Sequence, residues 1–450
     1  MKKVITYGTY DVLHHGHINL LRRAKALGDY LVVGVTNDSF DRHRGKLNVR
    51  NNVLERVEAV KATGLADKIV IEDYVGQKID DIQKYDIDIF AIGSDWEGKF
   101  DYLKEYCEVV YLPRTEGISS TMIRNESSFD INIGVVGCGR IASRFIPECE
   151  KVNSAKITDV YDMDASKAMK LAEAAGLNGH SETFEDLVAK VDAVYIATPH
   201  LNHFEQAKYA LEHGKHVLCE TPLVLDGEQA RQLYELAEKN SIVLLEANKT
   251  AYSPAFNHLM VLVKSGLIGD VVGIDASESK LWNQADLKRE LDPAQAGGSL
   301  YEMGSYPLLP ILRLLGTDYR NINIYSHMNE DGVDVYTRGI MRYDKAVSSF
   351  QLGLGVKTEG NLVISGTKGY AYVPAPWWKP DYFELRYEDP KLTKKYFYPW
   401  EEAGLRYEIQ EFISCIVNGR LQSSRLTPKE SICMAEVMQQ FTDRKNFYEI

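Results

Sequence analysis

Over its first 126 residues the chain alternates short, unbroken apolar runs with amphipathic stretches. The runs are 3–11, Tyr30–Val35, Lys68–Ile71, Asp88–Gly93 and Val109–Leu112, and Ile18–Lys25 places its leucines at helical spacing. Runs bounded in this way predict the buried parallel strands of a small α/β sheet. After a polar joint at 125–130 the pattern restarts with Ile131–Val136 and continues through Ala193–Pro199 and His216–Leu223. Beyond residue 250 it changes: Asn321–Tyr325, Val335–Ile340 and Ser348–Leu352 alternate apolar and polar positions, which predicts an antiparallel sheet with one covered face. The predicted fold class is therefore α/β, with a small Rossmann-like domain at 1–126, a second Rossmann domain at 131–250 and an α+β domain with a mainly antiparallel sheet at 251–450.

Length agrees with this division, since 450 residues exceed what one hydrophobic core usually organises. A net charge of -12 argues against a broad nucleic-acid or anionic-membrane footprint, so the expected partners are small molecules held by local groups. The start, Met1–Ile5, enters a strand directly with no signal peptide, and no spanning helix is predicted, which points to the cytoplasm. The six cysteines form neither a CxxC pair nor a Cys/His cluster, so reduced core thiols are expected and no protein-held metal site.

Candidate chemistry begins where the first strand ends. His14 and His17 flank Gly16 at the opening of the next helix, and ligands of α/β sheets gather at the carboxyl ends of strands. A helix start offers free N–H groups and a positive dipole end, and two histidines three apart project into the same space. That combination suits nucleotidyl transfer, in which charge develops on an α-phosphate. Arg114–Thr121 follows the last strand and adds a guanidinium, hydroxyls and a glycine suited to a triphosphate tail.

Taken with Tyr7–Asp11, Asp95–Phe100 and Tyr111–Ser119, this HxGH motif resembles the glycerol-3-phosphate cytidylyltransferases of the HxGH nucleotidyltransferase superfamily, over nearly all of residues 1–124. The resemblance implies that His14 and His17 contact the phosphates of CTP and stabilise the transition state. It likewise implies that Thr9, Asp11, Arg114, Ser119 and Thr121 hold the triphosphate end and that Asp95 and Trp96 lie near the cytosine or the acceptor. Lys46 and Arg56 are the expected cations for the acceptor phosphate or pyrophosphate, with Arg42, His43 and Arg44 in the same loop as Lys46; Mg2+ is expected with the triphosphate.

The second chemistry sits behind Ile131–Val136. Gly137, Gly139, Arg140, Ile141 and Ala142 form a GxGxxA turn between strand and helix, and Asp162 follows about twenty residues after Ala142 at the end of another strand. The glycines admit a pyrophosphate, and Asp162 can accept from a ribose while repelling a 2′-phosphate, so NAD(H) is expected ahead of NADP(H).

With Thr198-Pro199, Asn202-His203 and the Glu220-Thr221-Pro222 turn, the chain from about 131 to its end resembles the Gfo/Idh/MocA oxidoreductases. The resemblance implies a cofactor pocket that includes Thr198, Pro199, His203 and Glu220, and a C-terminal sheet that often carries the oligomer contact, hence a homo-oligomer. One departure stands out, because that family usually places a lysine where this chain has Thr221. Lys249, read as ending a strand, and Tyr306, four residues beyond Glu302 and on its helical face, are the expected replacements as proton donor and anchor. Pro374, Pro376, Trp377 and Trp378 mark an irregular loop open to reading as lid, interface or packing.

The combined expectation is a bifunctional enzyme. One half reduces a ketose or aldose phosphate to a polyol phosphate, and the other transfers CMP from CTP to that product, giving a CDP-polyol and pyrophosphate for cell-surface polysaccharide. The alternative keeps the cytidylyltransferase and makes the second half an inactive nucleotide-sensing or oligomerising module.

Overall fold

A computed structural model describes residues 1–11, 13–37, 53–72, 76–113, 130–281, 289–398 and 400–450. Lys46, Arg114, Ser119 and Thr121, like Arg42, His43 and Arg44, lie outside the described residues. The chain divides into two compact units, Met1–Phe129 and Asp130–Ile450.

The first unit is built on β1 (Lys3–Gly8), β2 (Tyr30–Thr36), β3 (Lys68–Glu72), β4 (Ile89–Gly93) and β5 (Glu108–Leu112), in the spatial order β3-β2-β1-β4-β5 and parallel throughout. The apolar runs are thus strands covered on both faces, by helices including α1 (His15–Lys25), α2 (Val53–Ala62) and α3 (Gln77–Tyr85). Strand order reverses between β1 and β4, which opens a crevice at their carboxyl ends. The first strand is shorter than the run 3–11 predicts. Tyr10 adopts a left-handed φ of 54°, which no strand sustains, so the pleat stops at Gly8 and the chain turns toward α1.

The second unit carries two sheets. One is parallel, with β6 (Ile131–Val136), β7 (Ala155–Tyr161), β8 (Ala193–Ile196), β9 (His216–Glu220) and β10 (Leu244–Ala247) in the order β10-β9-β8-β6-β7. Its reversal lies between β6 and β8. The other has nine strands, β11 (Val271–Lys280), β12 (Asn321–Met328), β13 (Asp334–Arg342), β14 (Val347–Leu354), β15 (Leu362–Gly366), β16 (Tyr370–Val373), β17 (Tyr382–Arg386), β18 (Lys394–Phe397) and β19 (Phe447–Glu449). It is mainly antiparallel, as alternation predicts, with parallel pairings of β11 to β14 and β12 to β19.

The C-terminal helices do not stay with the nine-stranded sheet. The helix Arg406–Val417 packs on the helix Arg140–Cys149 and on β9, and Pro428–Thr442 packs on Gly227–Lys239. Buried Glu148 fastens the first contact: it accepts the backbone N–H groups of Ala403, Gly404 and Arg406 at 2.8, 3.2 and 3.2 Å and the Arg406 Nε at 2.6 Å. A carboxylate removed from water is tolerable only with this degree of hydrogen bonding. Among the described residues no helix is long and apolar enough to cross a membrane.

Candidate functional site

In the first unit, His14 is the N-cap of α1, and its Nδ1 accepts the Gly16 N–H at 3.1 Å. That bond fixes the lone pair on Nδ1, so the neutral ring carries its proton on Nε2, directed away from the cap. The His14 and His17 rings stack with centroids 4.0 Å apart, and Tyr10 packs edge-on to His17 at 5.5 Å. Burial drives the Tyr10 phenol far above its ordinary range, so it supports the pair as a neutral group. Thr9 and Asp11 are buried just behind.

The turn Ser94–Trp96 follows β4, the neighbour of β1, so exposed Asp95 and half-buried Trp96 stand at the same crevice as the histidines. Trp96 packs against Phe100, with the Lys99 ammonium 5.5 Å from its ring. Arg56 has a different place from the one expected. It is 1% exposed and donates to Thr9 O and Thr36 O at 2.7 and 2.8 Å, tying the ends of β1 and β2 together. A guanidinium so committed organises the crevice from beneath.

In the second unit the glycine turn has the form a dinucleotide needs. Gly137 sits at φ 90°, and a Cβ there would come within 2.7 Å of Ala197 O, so only glycine lets the turns after β6 and β8 touch. A Cβ on Gly139 would meet nothing within 4 Å, and no side chain caps the helix that Arg140 opens, which leaves a cradle for a pyrophosphate with Ile141 in its first turn. Asp162 ends up beside this turn, accepting the Cys138 N–H at 2.8 Å and the Asp164 N–H at 2.9 Å.

Thr198 and Pro199 follow β8 at the same edge. His203 is not a pocket-lining group: it is fully buried, with Nδ1 2.9 Å from Pro222 O and Nε2 2.8 Å from Thr198 O. Burial, with His200 nearby, pushes its imidazole down to about 4, so as a neutral ring it donates its one N–H to one of these carbonyls and packs against the other, between the turns after β8 and β9. What it contacts is backbone.

Thr221 donates its hydroxyl to buried Glu246 at 2.8 Å, so the position where the resemblance leads one to expect a lysine is turned into the β9–β10 region. Lys249 stands instead near the carboxyl edge of β9. It starts the short helix Lys249–Tyr252 and does not end a strand, since β10 stops at Ala247. Its Nζ is 6.0 Å from the centre of the Tyr306 ring. Burial depresses the Lys249 ammonium below the lysine range, against the pull of Glu408, Glu220 and Glu278. Tyr306 is driven the other way by burial and by Glu220, Glu278 and Glu408, so its phenol keeps its proton at neutral pH.

Glu302 and Tyr306 serve different neighbours. The helix is interrupted between Ser299–Met303 and Ser305–Leu315, at Gly304. Glu302 pairs with His200 Nε2 at 3.0 Å and Arg289 at 2.7 Å; burial opposes its ionisation, and these two partners override it and hold the carboxyl low.

Of this cluster Glu220 was expected, while sequence reading missed His200, Glu278 and Glu408. Glu220 accepts from buried Tyr195. Glu408, fully buried on the helix Arg406–Val417, has neither carboxylate oxygen hydrogen-bonded among the described residues, and burial, with Glu220 beside it, raises its pKa well above the carboxylate range. Glu278, 1% exposed at the end of β11, lies 3.7 Å from Lys280. His200 had a local signal, standing directly after Thr198-Pro199; the glutamates reach the site only through tertiary packing.

Residues 5–126 match the cytidylyltransferase-like family, 131–247 the oxidoreductase family with an NAD-binding Rossmann fold, and 256–372 the GFO/IDH/MocA C-terminal domain. The chain is 53% identical over 126 residues to the glycerol-3-phosphate cytidylyltransferase of Bacillus spizizenii, which covers 28% of this chain and 97% of that enzyme. The chain is a cytidylyltransferase fused to a GFO/IDH/MocA oxidoreductase. Its second part is 28% identical over 321 residues to a scyllo-inositol 2-dehydrogenase (NADP(+)) of Bacillus subtilis, spanning 69% of this chain and 95% of that one. Its fold is that of a 3-ketoreductase from Actinomadura kijaniata solved in complex with NADP and TDP-benzene, at a TM-score of 0.64 and 22% identity over 71% of this chain and 99% of the other. The fused enzyme therefore unites a nucleotidyltransferase with an NAD(P)-binding oxidoreductase.

Proposed function

We propose that the oxidoreductase half reduces a ketose or aldose phosphate to a polyol phosphate, and that the cytidylyltransferase half joins this product to CMP from CTP. The products are a CDP-polyol and pyrophosphate, a form of activated polyol suited to cell-surface polysaccharide synthesis. The observation that carries the reading is the Lys249–Tyr306 pair at the edge of the dinucleotide-binding sheet, joined in one chain to a cytidylyltransferase whose relatives use glycerol 3-phosphate.

A bound nicotinamide dinucleotide supplies the hydride to the carbonyl carbon. Tyr306 holds a proton on Oη for the carbonyl oxygen, and the Lys249 ammonium beside it polarises that oxygen, replacing the lysine absent at Thr221. Asp162 favours NAD(H), because a carboxylate near the adenosine ribose repels a 2′-phosphate. In the other half the polyol phosphate oxygen attacks the α-phosphorus of CTP, and the bond to pyrophosphate breaks. His14 and His17 stabilise the added charge and Asp95 and Trp96 border the base or acceptor, while Mg2+ arriving with CTP would supply charge neutralisation of the triphosphate.

The test is a screen of fructose 6-phosphate, ribulose 5-phosphate and dihydroxyacetone phosphate with NADH and with NADPH, read at the nicotinamide absorbance, followed by CTP. The reading requires one carbonyl to consume reduced cofactor and its product to release pyrophosphate from CTP. Pyrophosphate from a supplied polyol phosphate with no cofactor oxidation by any sugar would overturn the reductase half.

A further inference from the structure

Three lysines come from segments that pack together around Lys249, whose Nζ is 6.0 Å from the Tyr306 ring. Lys249 begins its helix turn, Lys280 ends β11, and Lys379 sits half-buried in the loop after Trp378. The loop is laced to both other segments. Thr250, next to Lys249, donates its hydroxyl to Trp378 O at 2.7 Å, and Trp377, 1% exposed, donates its indole N–H to Ser277 O on β11 at 3.0 Å. The aromatic loop is thus a packed bracket that fixes where Lys379 stands.

This gathering of cations is electrostatically costly. Burial first, and then Lys249, Arg144 and Lys280, hold the Lys379 ammonium below the usual lysine range. Of the carboxyls near Lys249, Glu278 is paired with Lys280, while burial pushes Glu220 and Glu408 toward their neutral forms. A dianion would relieve the mutual repulsion of the lysines.

We propose that Lys280 and Lys379 form a phosphate subsite that seats a phosphomonoester substrate with its carbonyl at Lys249 and Tyr306. The proposal rests on the reductase reading above and makes the phosphate a requirement of it. Cofactor phosphates have their own cradle at Gly139 and the helix start, whereas Lys280 and Lys379 come from β11 and its bracket loop.

The full-length protein is assayed with paired carbonyls, dihydroxyacetone phosphate against dihydroxyacetone and ribulose 5-phosphate against ribulose, at saturating reduced cofactor. The ratio of kcat/KM for the phosphorylated over the plain member should fall at least about 10-fold in K280Q and in K379Q and be restored by K280R and K379R. An unchanged ratio overturns the subsite; a rise in the KM for the dinucleotide instead assigns these cations to the cofactor and overturns it too. If no pair consumes cofactor, the reductase reading fails by itself. The subsite is then judged by calorimetry of inorganic phosphate on the NADH-loaded protein in an H17A background, where a Kd unmoved by K280Q and K379Q rejects it.

Discussion

The ammonium of Lys249 lies 6.0 Å from the centre of the Tyr306 ring, although 57 residues separate the two and neither occupies the lysine position of the Glu220-Thr221-Pro222 turn. A half-buried phenol held neutral beside a cation is a proton donor in waiting. Y306F should lower kcat for carbonyl reduction by about 100-fold or more, with K249M similar, while the Kd for the reduced dinucleotide changes less than about twofold. Stopped-flow single turnovers and fluorescence titration of the cofactor separate these quantities, and a normal rate in Y306F would remove it from the mechanism.

The stacked His14 and His17 belong to a different unit from the reductase residues. H17A should cut pyrophosphate release at least about 100-fold and leave oxidation of NADH or NADPH unaltered. Parallel loss of both activities would contradict two separate chemistries.

Asp162 engages the backbone of the glycine turn through Cys138. D162S should raise the ratio of kcat/KM for NADPH over NADH by about 10-fold, since it removes a charge that repels the 2′-phosphate. If the ratio is unmoved, some other group reads the ribose.

Glu278 is pushed up to about 7 by burial, with Lys280, Lys249 and Lys379 opposing. A carboxyl whose folded pKa exceeds its unfolded value favours the folded state below the ordinary carboxylate range and loses that contribution as pH rises through 7. E278Q should therefore gain stability over the parent on going from pH 5 to pH 8, by on the order of 2–3 kcal/mol. Urea unfolding at the two pH values checks this, and a difference independent of pH would refute it.

The clasp of Glu148 on residues 403–406 predicts a purely structural effect. E148A should destabilise the second unit by about 2–4 kcal/mol, because it removes the buried acceptor of three backbone N–H groups and one of the carboxylates paired with Arg406, which keeps Glu401 and Glu402. Thermal unfolding should show the loss, with CTP turnover in the same sample unaffected.

Much of this architecture was legible in the residue pattern, and the exceptions have physical causes. Apolar runs report burial on both faces, so β2, β4 and β6 could be read directly, and Gly137 announced its turn because no side chain fits there. Arg56 looked like a ligand because sequence shows its charge and not the two carbonyls that absorb it. His203 was misread for the same reason. Glu408 and Glu278 escaped notice because helix and strand positions far along the chain become neighbours of Lys249 only after packing. The bracket at Trp377 was undecidable until its indole met Ser277.

The return of the helices Arg406–Val417 and Pro428–Thr442 to the parallel sheet has a bearing on biosynthesis. A nascent chain can settle its first unit once some 130 residues have emerged, whereas the hydride-transfer half must wait on the ribosome for more than 300 further residues before its last supports arrive. Translation thus finishes the cytidylyltransferase unit well before the oxidoreductase, and interrupted synthesis would leave cells with the former alone.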